Sequence, residues 1–303
     1  MAKKYSVWLV AAGLVACSSF GFNIVSSRAQ EPAKDGTLQN VVYSKIGEQE
    51  LAFDAYGVEP NKKKPAIIFL HGGGWVGGSR KDMTTPASFF AQKGYVCFPV
   101  TYRFVKGDEN RYPAQIDDVQ RAVRWIRAHA TGYGVNPDKI GVLGASAGAH
   151  LAALLGTTDT LHNTPAELAT YSSRVQCVVD LYGPTDFTAF PKAPVLDATQ
   201  RTQGMQLVEG FLGPLPENAA NYSEASPITH IDKKSAPFLI FHGGKDALVP
   251  VSQSEIMDEA LRKVGIESKL IVFPNAGHGY GEPELLVQTV NNSLEFFDRH
   301  LKN

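Results

Sequence analysis

The chain has 303 residues, of which 44% are hydrophobic and 19% are charged, and its formal net charge at pH 7 is −1. This balance is typical of a globular protein with one large core, and it excludes the strongly basic surface that nucleic-acid binding requires. The sequence lacks the paired-cysteine and H-E-x-x-H spacings of zinc sites, so we expect no metal site and no cofactor.

The N-terminal residues have the features of an export signal. Lys3-Lys4 precede a short apolar run from Val7 to Ala16, which small residues follow. This pattern is typical of a secretory signal, and the run is too short to span a bilayer. We therefore expect a secreted or periplasmic protein.

Two processing routes fit the end of this signal. Ser27-Arg28-Ala29 fits a signal-peptidase site, which makes residues 1–29 a signal peptide and residues 30–39 a polar linker. Leu14-Val15-Ala16-Cys17 resembles a bacterial lipobox, which predicts a lipid anchor at Cys17. Apart from such an anchor, we expect no contact with a membrane.

Residues 40–303 read as one domain in which strands and helices alternate. This alternation predicts a doubly wound, mostly parallel sheet, led by a hairpin over 41–46 and 50–56. The pattern loosens over residues 184–235, which we interpret as a cap or lid inserted over the site. Five residues of this insertion either line a pocket or only fix the cap to the body: Phe187, Phe190, Phe211, Leu212 and Tyr222.

A glycine-rich segment follows the first predicted core strand, at residues 66–70. Its sequence is His71-Gly72-Gly73-Gly74-Trp75. Without side chains in the way, the amides of Gly72 and Gly73 can point into a cavity and bind an oxyanion. Residues 72–77, which begin within this segment, also fit G-x-G-x-x-G. The next strand ends without the acidic residue of a dinucleotide site, so we do not expect a nucleotide cofactor. Trp75 and Tyr102 each follow a core strand and are candidate substrate contacts.

The sequence Gly144-Ala145-Ser146-Ala147-Gly148 lies between an apolar strand-like stretch and an apolar helix-like stretch. Strand, sharp turn and helix are the context of a nucleophile elbow, in which the turn exposes the serine hydroxyl. Ser146 is therefore the candidate nucleophile, and the amide of Ala147 is a further candidate oxyanion donor. The alternative is that Ser146 only caps the helix.

Two further loops complete a candidate catalytic set. Asp246 follows a predicted strand at 237–241, and His278 follows another at 269–273. Loops at the carboxyl ends of parallel strands gather along one sheet edge. We expect His278 to take the proton of Ser146 and Asp246 to orient the imidazole. Asp186, after the strand at 175–181, is the alternative acid.

Several other histidine, aspartate and cysteine residues are expected to stabilise the fold rather than to take part in catalysis. His71 and His242 are expected to tie loops together, and His150 to be a buried, hydrogen-bonded histidine. Asp117-Asp118 are expected on the solvated side of an amphipathic helix. Cys97 and Cys177 are expected to be free, buried thiols.

Together these motifs resemble the α/β-hydrolases of the esterase/lipase group that carry an HGGG loop. The resemblance covers about residue 40 to the end, and is strongest to small bacterial esterases related to hormone-sensitive lipase and to the BD-FAE (feruloyl-esterase-like) branch. The elbow of this chain reads Gly-Ala-Ser-Ala-Gly, whereas many relatives of hormone-sensitive lipase have Gly-Asp-Ser-Ala-Gly. This difference favours the BD-FAE branch. Four more segments resemble that branch: Val100-Thr101-Tyr102-Arg103, Pro113-Ala114-Gln115-Ile116-Asp117-Asp118, Tyr182-Gly183-Pro184-Thr185-Asp186 and Ala225-Ser226-Pro227-Ile228.

The resemblance implies an α/β-hydrolase fold, with an eight-stranded, mostly parallel sheet flanked by helices and a small cap. It implies a serine carboxylic-ester hydrolase that uses Ser146, His278 and Asp246 on short-chain or carbohydrate-linked acyl esters of the acetyl or feruloyl type. Its partner would be a small-molecule or polysaccharide-linked ester. Two alternatives stay open: a peptidase or amidase on the same fold, and a non-catalytic binding protein on a hydrolase scaffold.

Overall fold

The computed structural model describes residues 31–159, 164–192 and 196–303. The predicted signal peptide, with Cys17, lies outside these residues. Within them, eight strands form one sheet: β1 (Leu38–Ile46), β2 (Gln49–Ala55), β3 (Lys64–Leu70), β4 (Val96–Val100), β5 (Val135–Ala145), β6 (Cys177–Leu181), β7 (Phe238–Gly243) and β8 (Ser268–Phe273).

The order across the sheet is β1-β2-β4-β3-β5-β6-β7-β8. The leading hairpin is antiparallel, and β2 also pairs antiparallel with β4. Every other pairing is parallel. The sheet is therefore mixed, and the prediction of an eight-stranded, mostly parallel sheet is confirmed.

The first strand begins earlier than the sequence suggested. Leu38 is buried and pairs with Ala55, so β1 starts inside the predicted linker, residues 30–39. The predicted linker boundary is wrong by two residues. The apolar side chain of Leu38 explains the difference, because it joins the hydrophobic core.

The helices between the strands, taken over the described ranges, cover both faces of the sheet. None of them is long and apolar enough to cross a bilayer. Their bounds are α1 (Thr84–Gln92), α2 (Ala114–Ala128), α3 (Ala130–Tyr133), α4 (Ala147–Thr157), α5 (Ala198–Leu212), α6 (Ala219–Glu224), α7 (Ser252–Lys263) and α8 (Pro283–Phe297).

Alternate residues of the central strands enter two separate cores, because successive side chains of a strand point to opposite faces. On β3, Ile68 belongs to the core that α2, α4 and α7 cover. Ile67 and Phe69 belong to the other core, which α1 and α8 cover. Both faces are thus buried, as the continuous apolar runs of these strands predict.

Cys97 on β4 and Cys177 on β6 are both buried and free. The strands β3 and β5 separate them in the sheet, so the two thiols do not meet. Burial raises the pKa of both thiols, which removes the thiolate that reactivity requires. They act as small apolar side chains of the core.

The interpretation of Asp117-Asp118 as a solvated pair is wrong. Both residues are buried on α2. The carboxylate of Asp118 accepts hydrogen bonds from Nε and Nη2 of Arg103, with Nη2–Oδ1 at 2.8 Å. Burial raises the pKa of Asp118, and the guanidinium opposes that rise. The pair joins α2 to the loop after β4, a partnership that helix periodicity does not predict.

Candidate active site

Ser146 occupies the sharp turn between β5 and α4. Its backbone is in the left-handed region, with φ 52° and ψ −118°, a strained conformation for a residue with a side chain. The turn is held by a 2.8 Å hydrogen bond from the Ser146 amide to the carbonyl of Leu181. The strand–turn–helix context predicted for Ser146 is therefore present.

The two glycines of the elbow are required by close backbone contacts. A Cβ at Gly144 would lie 2.2 Å from the carbonyl oxygen of Gly148, and a Cβ at Gly148 would lie 2.2 Å from that of Leu70. Backbone atoms cannot move aside as the end of a side chain can. The turn therefore closes tightly only because both positions lack side chains.

Gly144→Ala is expected to destabilise the protein by about 1–3 kcal/mol, the usual cost of forcing atoms into a packed interior. Urea unfolding measures this difference. The matched control is Gly210→Ala in α5, where an added Cβ meets no atom within 4 Å. That variant is expected to gain up to about 1 kcal/mol from helix propensity. Equal effects of the two substitutions would contradict the packing argument.

His278 lies in the loop after β8 and connects the serine to the acid. Its Nδ1 is 2.7 Å from Oδ2 of Asp246, and its Nε2 is 2.9 Å from Oγ of Ser146. Because a carboxylate only accepts, Nδ1 carries the proton and Nε2 is free to accept from the serine hydroxyl. The histidine side chain is 18% exposed, whereas Asp246 is fully buried. Ser146 and His278 also line the same cavity, so a substrate bound there can reach both side chains.

Asp246 receives hydrogen bonds on both carboxylate oxygens. The amides of Leu248 and Val249 donate to Oδ1, and His278 donates to Oδ2. Nε2 of His242 lies 3.2 Å from the same Oδ2. Burial alone would raise the pKa of Asp246, but the contacts with His242 and His278 outweigh it and lower the pKa to about 2. The carboxylate is thus ionised at any working pH.

A second histidine, His242, also contacts the Asp246 carboxylate. From the sequence, His242 was expected only to connect loops through hydrogen bonds. Its Nε2 also contacts the carbonyl of Val249 at 2.9 Å, and its Nδ1 lies 2.7 Å from the hydroxyl of Ser254. The carbonyl requires the proton on Nε2, which fixes the tautomer. The available signal was its place at the end of β7, four residues before Asp246.

Asp186, the alternative acid, does not contact His278. Its Oδ1 accepts from the amides of Thr188 and Ala189 and from the hydroxyl of Thr188. These bonds close a local turn at the start of the predicted cap. The structure therefore brings Asp246, and not Asp186, to the imidazole.

The three predicted oxyanion donors lie beside Ser146. A Cβ at Gly72 would be 3.4 Å from Cβ of Ser146, so the glycine loop runs against the elbow. Ala147 begins α4, where the first amides of a helix lack internal partners. Gly72, Gly73 and Ala147 all line the cavity that contains Ser146.

Tyr102 supports the glycine loop through contacts with His71. Its hydroxyl donates to the carbonyl of His71 at 2.7 Å, and its ring stacks on the His71 imidazole at 4.5 Å. Tyr102 is fully buried and is absent from the lining of the cavity. Its expected role as a substrate contact is therefore wrong, because the chain turns its ring under the loop rather than into the site. Trp75 does line the cavity.

The cavity has a volume of about 590 Å³. One wall comes from α5, through Gln203, Gly204, Leu207 and Val208. Of the five cap residues proposed as pocket or anchor, Phe190 lines the cavity. The other four, Phe187, Phe211, Leu212 and Tyr222, belong to the buried core.

Helix α5 packs closely against two catalytic loops. A Cβ at Gly204 would lie 2.6 Å from the carbonyl oxygen of Leu248 in the loop that carries Asp246. On the other side, a Cβ at Gly74 would lie 2.8 Å from Cδ2 of Leu207. The helix therefore bridges the acid loop and the glycine loop.

Asp180, at the end of β6, is a fully buried carboxyl with one hydrogen-bonded oxygen. The amide of Gly183 donates to its Oδ1 at 2.9 Å, whereas Oδ2 has no partner among the described residues. Burial raises the pKa of Asp180 to about 6, although the Gly183 bond and His242 oppose it. Ionising this group above pH 6 therefore costs stability.

Asp180→Asn is expected to stabilise the protein more at pH 8 than at pH 4. Between pH 3.8 and about pH 6 the native state keeps a proton that the unfolded chain has lost, so the free energy of unfolding falls as pH rises. The asparagine removes a cost of about 3 kcal/mol at most. Urea unfolding at both pH values measures it, with the exposed Asp138→Asn as control. An advantage that does not change with pH would contradict the argument.

In the described ranges, no group of three His, Cys, Asp or Glu side chains is placed to hold a metal ion. The sheet order, the elbow after β5 and the loops after β7 and β8 together define the α/β-hydrolase fold. The chain belongs to the BD-FAE family, whose model matches residues 53–261.

Two curated relatives from Mycobacterium tuberculosis are esterases by name. The chain is 34% identical to the probable carboxylic ester hydrolase LipM over 203 residues, which are 66% of this chain and 45% of LipM. It is 35% identical to the esterase LipC over 227 residues, 73% of this chain and 54% of LipC. The chain thus spans about half the length of these relatives.

The fold is also similar to that of Est2, a thermophilic esterase from Thermogutta terrifontis. The propionate-bound structure matches with a TM-score of 0.73 and 28% identity, over 86% of this chain and 93% of Est2. The butyrate-bound structure matches with a TM-score of 0.74 and the same identity and coverage.

Proposed function

We propose that this chain is a serine carboxylic-ester hydrolase that works through an acyl-enzyme on Ser146. The observation that carries the proposal is the chain of two short contacts from the Ser146 hydroxyl through His278 to Asp246. As Oγ attacks the ester carbonyl, its proton passes to Nε2 of His278. His278 then gives that proton to the departing alcohol, and a water molecule repeats the sequence to release the acid.

The other groups act on the charges that this reaction creates. Asp246 stabilises the imidazolium that forms on His278 and keeps its ring in place. The amides of Gly72, Gly73 and Ala147 face the developing negative charge on the carbonyl oxygen. One such donor contributes about 3 kcal/mol to lowering the barrier.

For the substrate, we propose short-chain acyl esters or carbohydrate-linked acyl esters of the acetyl or feruloyl type. The cavity wall supports a small apolar acyl group, because Leu207, Val208 and Phe190 face it. The propionate and butyrate bound to Est2 are groups of this size. The polar residue on the same wall, Gln203, is suited to the hydroxyl groups of a sugar alcohol.

We also propose that the protein is exported. The support is the sequence pattern alone, with Lys3-Lys4 ahead of an apolar run and Ser27-Arg28-Ala29 behind it. Mass spectrometry of the mature N-terminus tests this. A chain that begins at Gln30 identifies a free secreted form, and a diacylated Cys17 identifies an anchored one. An uncleaved N-terminus in a bacterial host would overturn the proposal.

Labelling with a fluorophosphonate, followed by a substrate panel, tests the activity. We expect covalent labelling at Ser146 and turnover of p-nitrophenyl acetate, acetylated xylan and methyl ferulate. Faster turnover of aminoacyl amides than of esters would favour the peptidase or amidase alternative. Folded protein that is neither labelled nor active would be the binding protein instead.

A further inference from the structure

The last residue of the glycine loop, Trp75, directs its indole towards the elbow helix, α4. Trp75 is almost fully buried, and its backbone is left-handed with φ 61°. Its carbonyl accepts from the amide of Val105 at 2.9 Å. A large side chain in this conformation stays there only if surrounding contacts hold it.

His150 provides one of those contacts. It lies on α4, four residues after Ser146, and is fully buried. Nε1 of Trp75 donates to Nδ1 of His150 at 3.2 Å, and Nε2 of His150 donates to the carbonyl of Ala225 at 2.7 Å. An indole only donates and a carbonyl only accepts, so the two partners select a single neutral tautomer.

Burial reinforces the neutral form. It lowers the pKa of His150 to about 4, although the Ala225 carbonyl opposes the shift. The imidazole therefore keeps an acceptor for the indole throughout the usual assay range. Aromatic rings enclose the pair: Phe211 stacks on Trp75 with centroids 4.3 Å apart, and Phe187 packs against His150 at 5.0 Å.

We propose that His150 is a positioning residue for the oxyanion donors, acting through the indole of Trp75. The hydrogen bond fixes the end of the glycine loop to the same helix that begins at Ala147. The amides of Gly72 and Gly73 are thereby held at a fixed position relative to the amide of Ala147. This inference rests on the proposed ester hydrolysis, and assigns no contact between His150 and substrate.

Two variants test this hydrogen bond. His150→Leu removes both hydrogen bonds of the imidazole, whereas His150→Asn keeps an acceptor near the position of Nδ1 and loses only the Nε2–H that donates to the carbonyl of Ala225. A difference between the two variants therefore reports the bond to the indole. We expect kcat for p-nitrophenyl acetate to fall about 10- to 100-fold in the leucine variant, the size of effect that misplacement by about 1 Å produces. The asparagine variant is expected to recover most of that loss. KM should change little, since oxyanion contacts form in the transition state.

A double-mutant cycle tests whether the effect passes through the indole. Trp75→Phe removes the N–H donor and keeps an aromatic ring over Phe211. If His150 acts through this donor, Trp75→Phe combined with His150→Leu lowers kcat no further than the larger single effect. The matched control is His230→Asn, because Nε2 of His230 also donates to a backbone carbonyl, that of Glu224, at 2.7 Å.

The outcomes separate this inference from the proposed function. Equal kcat for the asparagine and leucine variants, or multiplicative losses in the cycle, would overturn the role of His150 while the wild type still hydrolyses esters. A wild type without esterase activity or labelling defeats the proposed function itself. Thermal unfolding identifies variants that fail to fold. If both His150 variants fail to fold, the kcat of Trp75→Phe is the deciding measurement, and an unchanged kcat overturns the inference.

Discussion

Replacing Ser146 or His278 with alanine is expected to lower kcat by a factor of about 10⁴ or more. Without the serine hydroxyl there is no oxygen to form the acyl-enzyme. Without the imidazole, whose Nε2 lies 2.9 Å from that hydroxyl, the proton has no acceptor. Steady-state turnover of p-nitrophenyl acetate measures the loss, with Ser223→Ala, an exposed serine on α6, as the control.

The double variant sharpens this result. Groups that act as a unit give losses that do not multiply, so Ser146→Ala with His278→Ala is expected to be about as slow as either single variant. A residual rate from substrate binding and the oxyanion amides should remain. Single variants with turnover close to that of the wild type would rule out the acyl-enzyme mechanism.

Asp246→Asn is expected to lower kcat by about 10⁴, with little change in fold. The asparagine can offer its NH₂ group to Nδ1 of His278, which then becomes an acceptor and leaves the proton on Nε2. In that tautomer the imidazole can no longer accept from Ser146. The pH dependence of kcat/KM and the absolute kcat together measure the effect.

Asp186→Asn is the matched control for this substitution. It replaces a carboxylate that closes a turn at Thr188 and Ala189, so turnover should stay near the wild-type value. A reversal of the two results, with Asp186→Asn slow and Asp246→Asn fast, would reassign the acid. Near-normal turnover in both variants would mean that the imidazole needs no carboxylate.

The sequence was sufficient to predict the parts of the site that lie at the ends of strands. Ser146, Asp246 and His278 each follow a continuous apolar run, and such runs predict buried parallel strands well. Because those strands end at one edge, three residues distant in sequence were expected to meet. The structure brings them within hydrogen-bond distance.

Side chains that depend on partners from other elements could not be predicted in this way. The periodicity of α2 shows which face is apolar, but not that Arg103 approaches the acidic pair on the opposite face. Tyr102 follows a strand end as Trp75 does, yet it turns under the loop. Likewise, no local pattern indicates that α5 forms a wall of the cavity, because its position depends on contacts with the loops at Gly74 and Leu248.

The position of α5 links selectivity to the catalytic loops. The reacting groups lie in loops at the ends of strands and at the start of α4, whereas α5 contributes one wall of the cavity, through Gln203, Gly204, Leu207 and Val208. Because Leu207 also packs against Gly74, we expect a shorter side chain there to enlarge the acyl pocket and to loosen the glycine loop at the same time. A change of acyl preference made on this helix is therefore expected to alter kcat as well as KM.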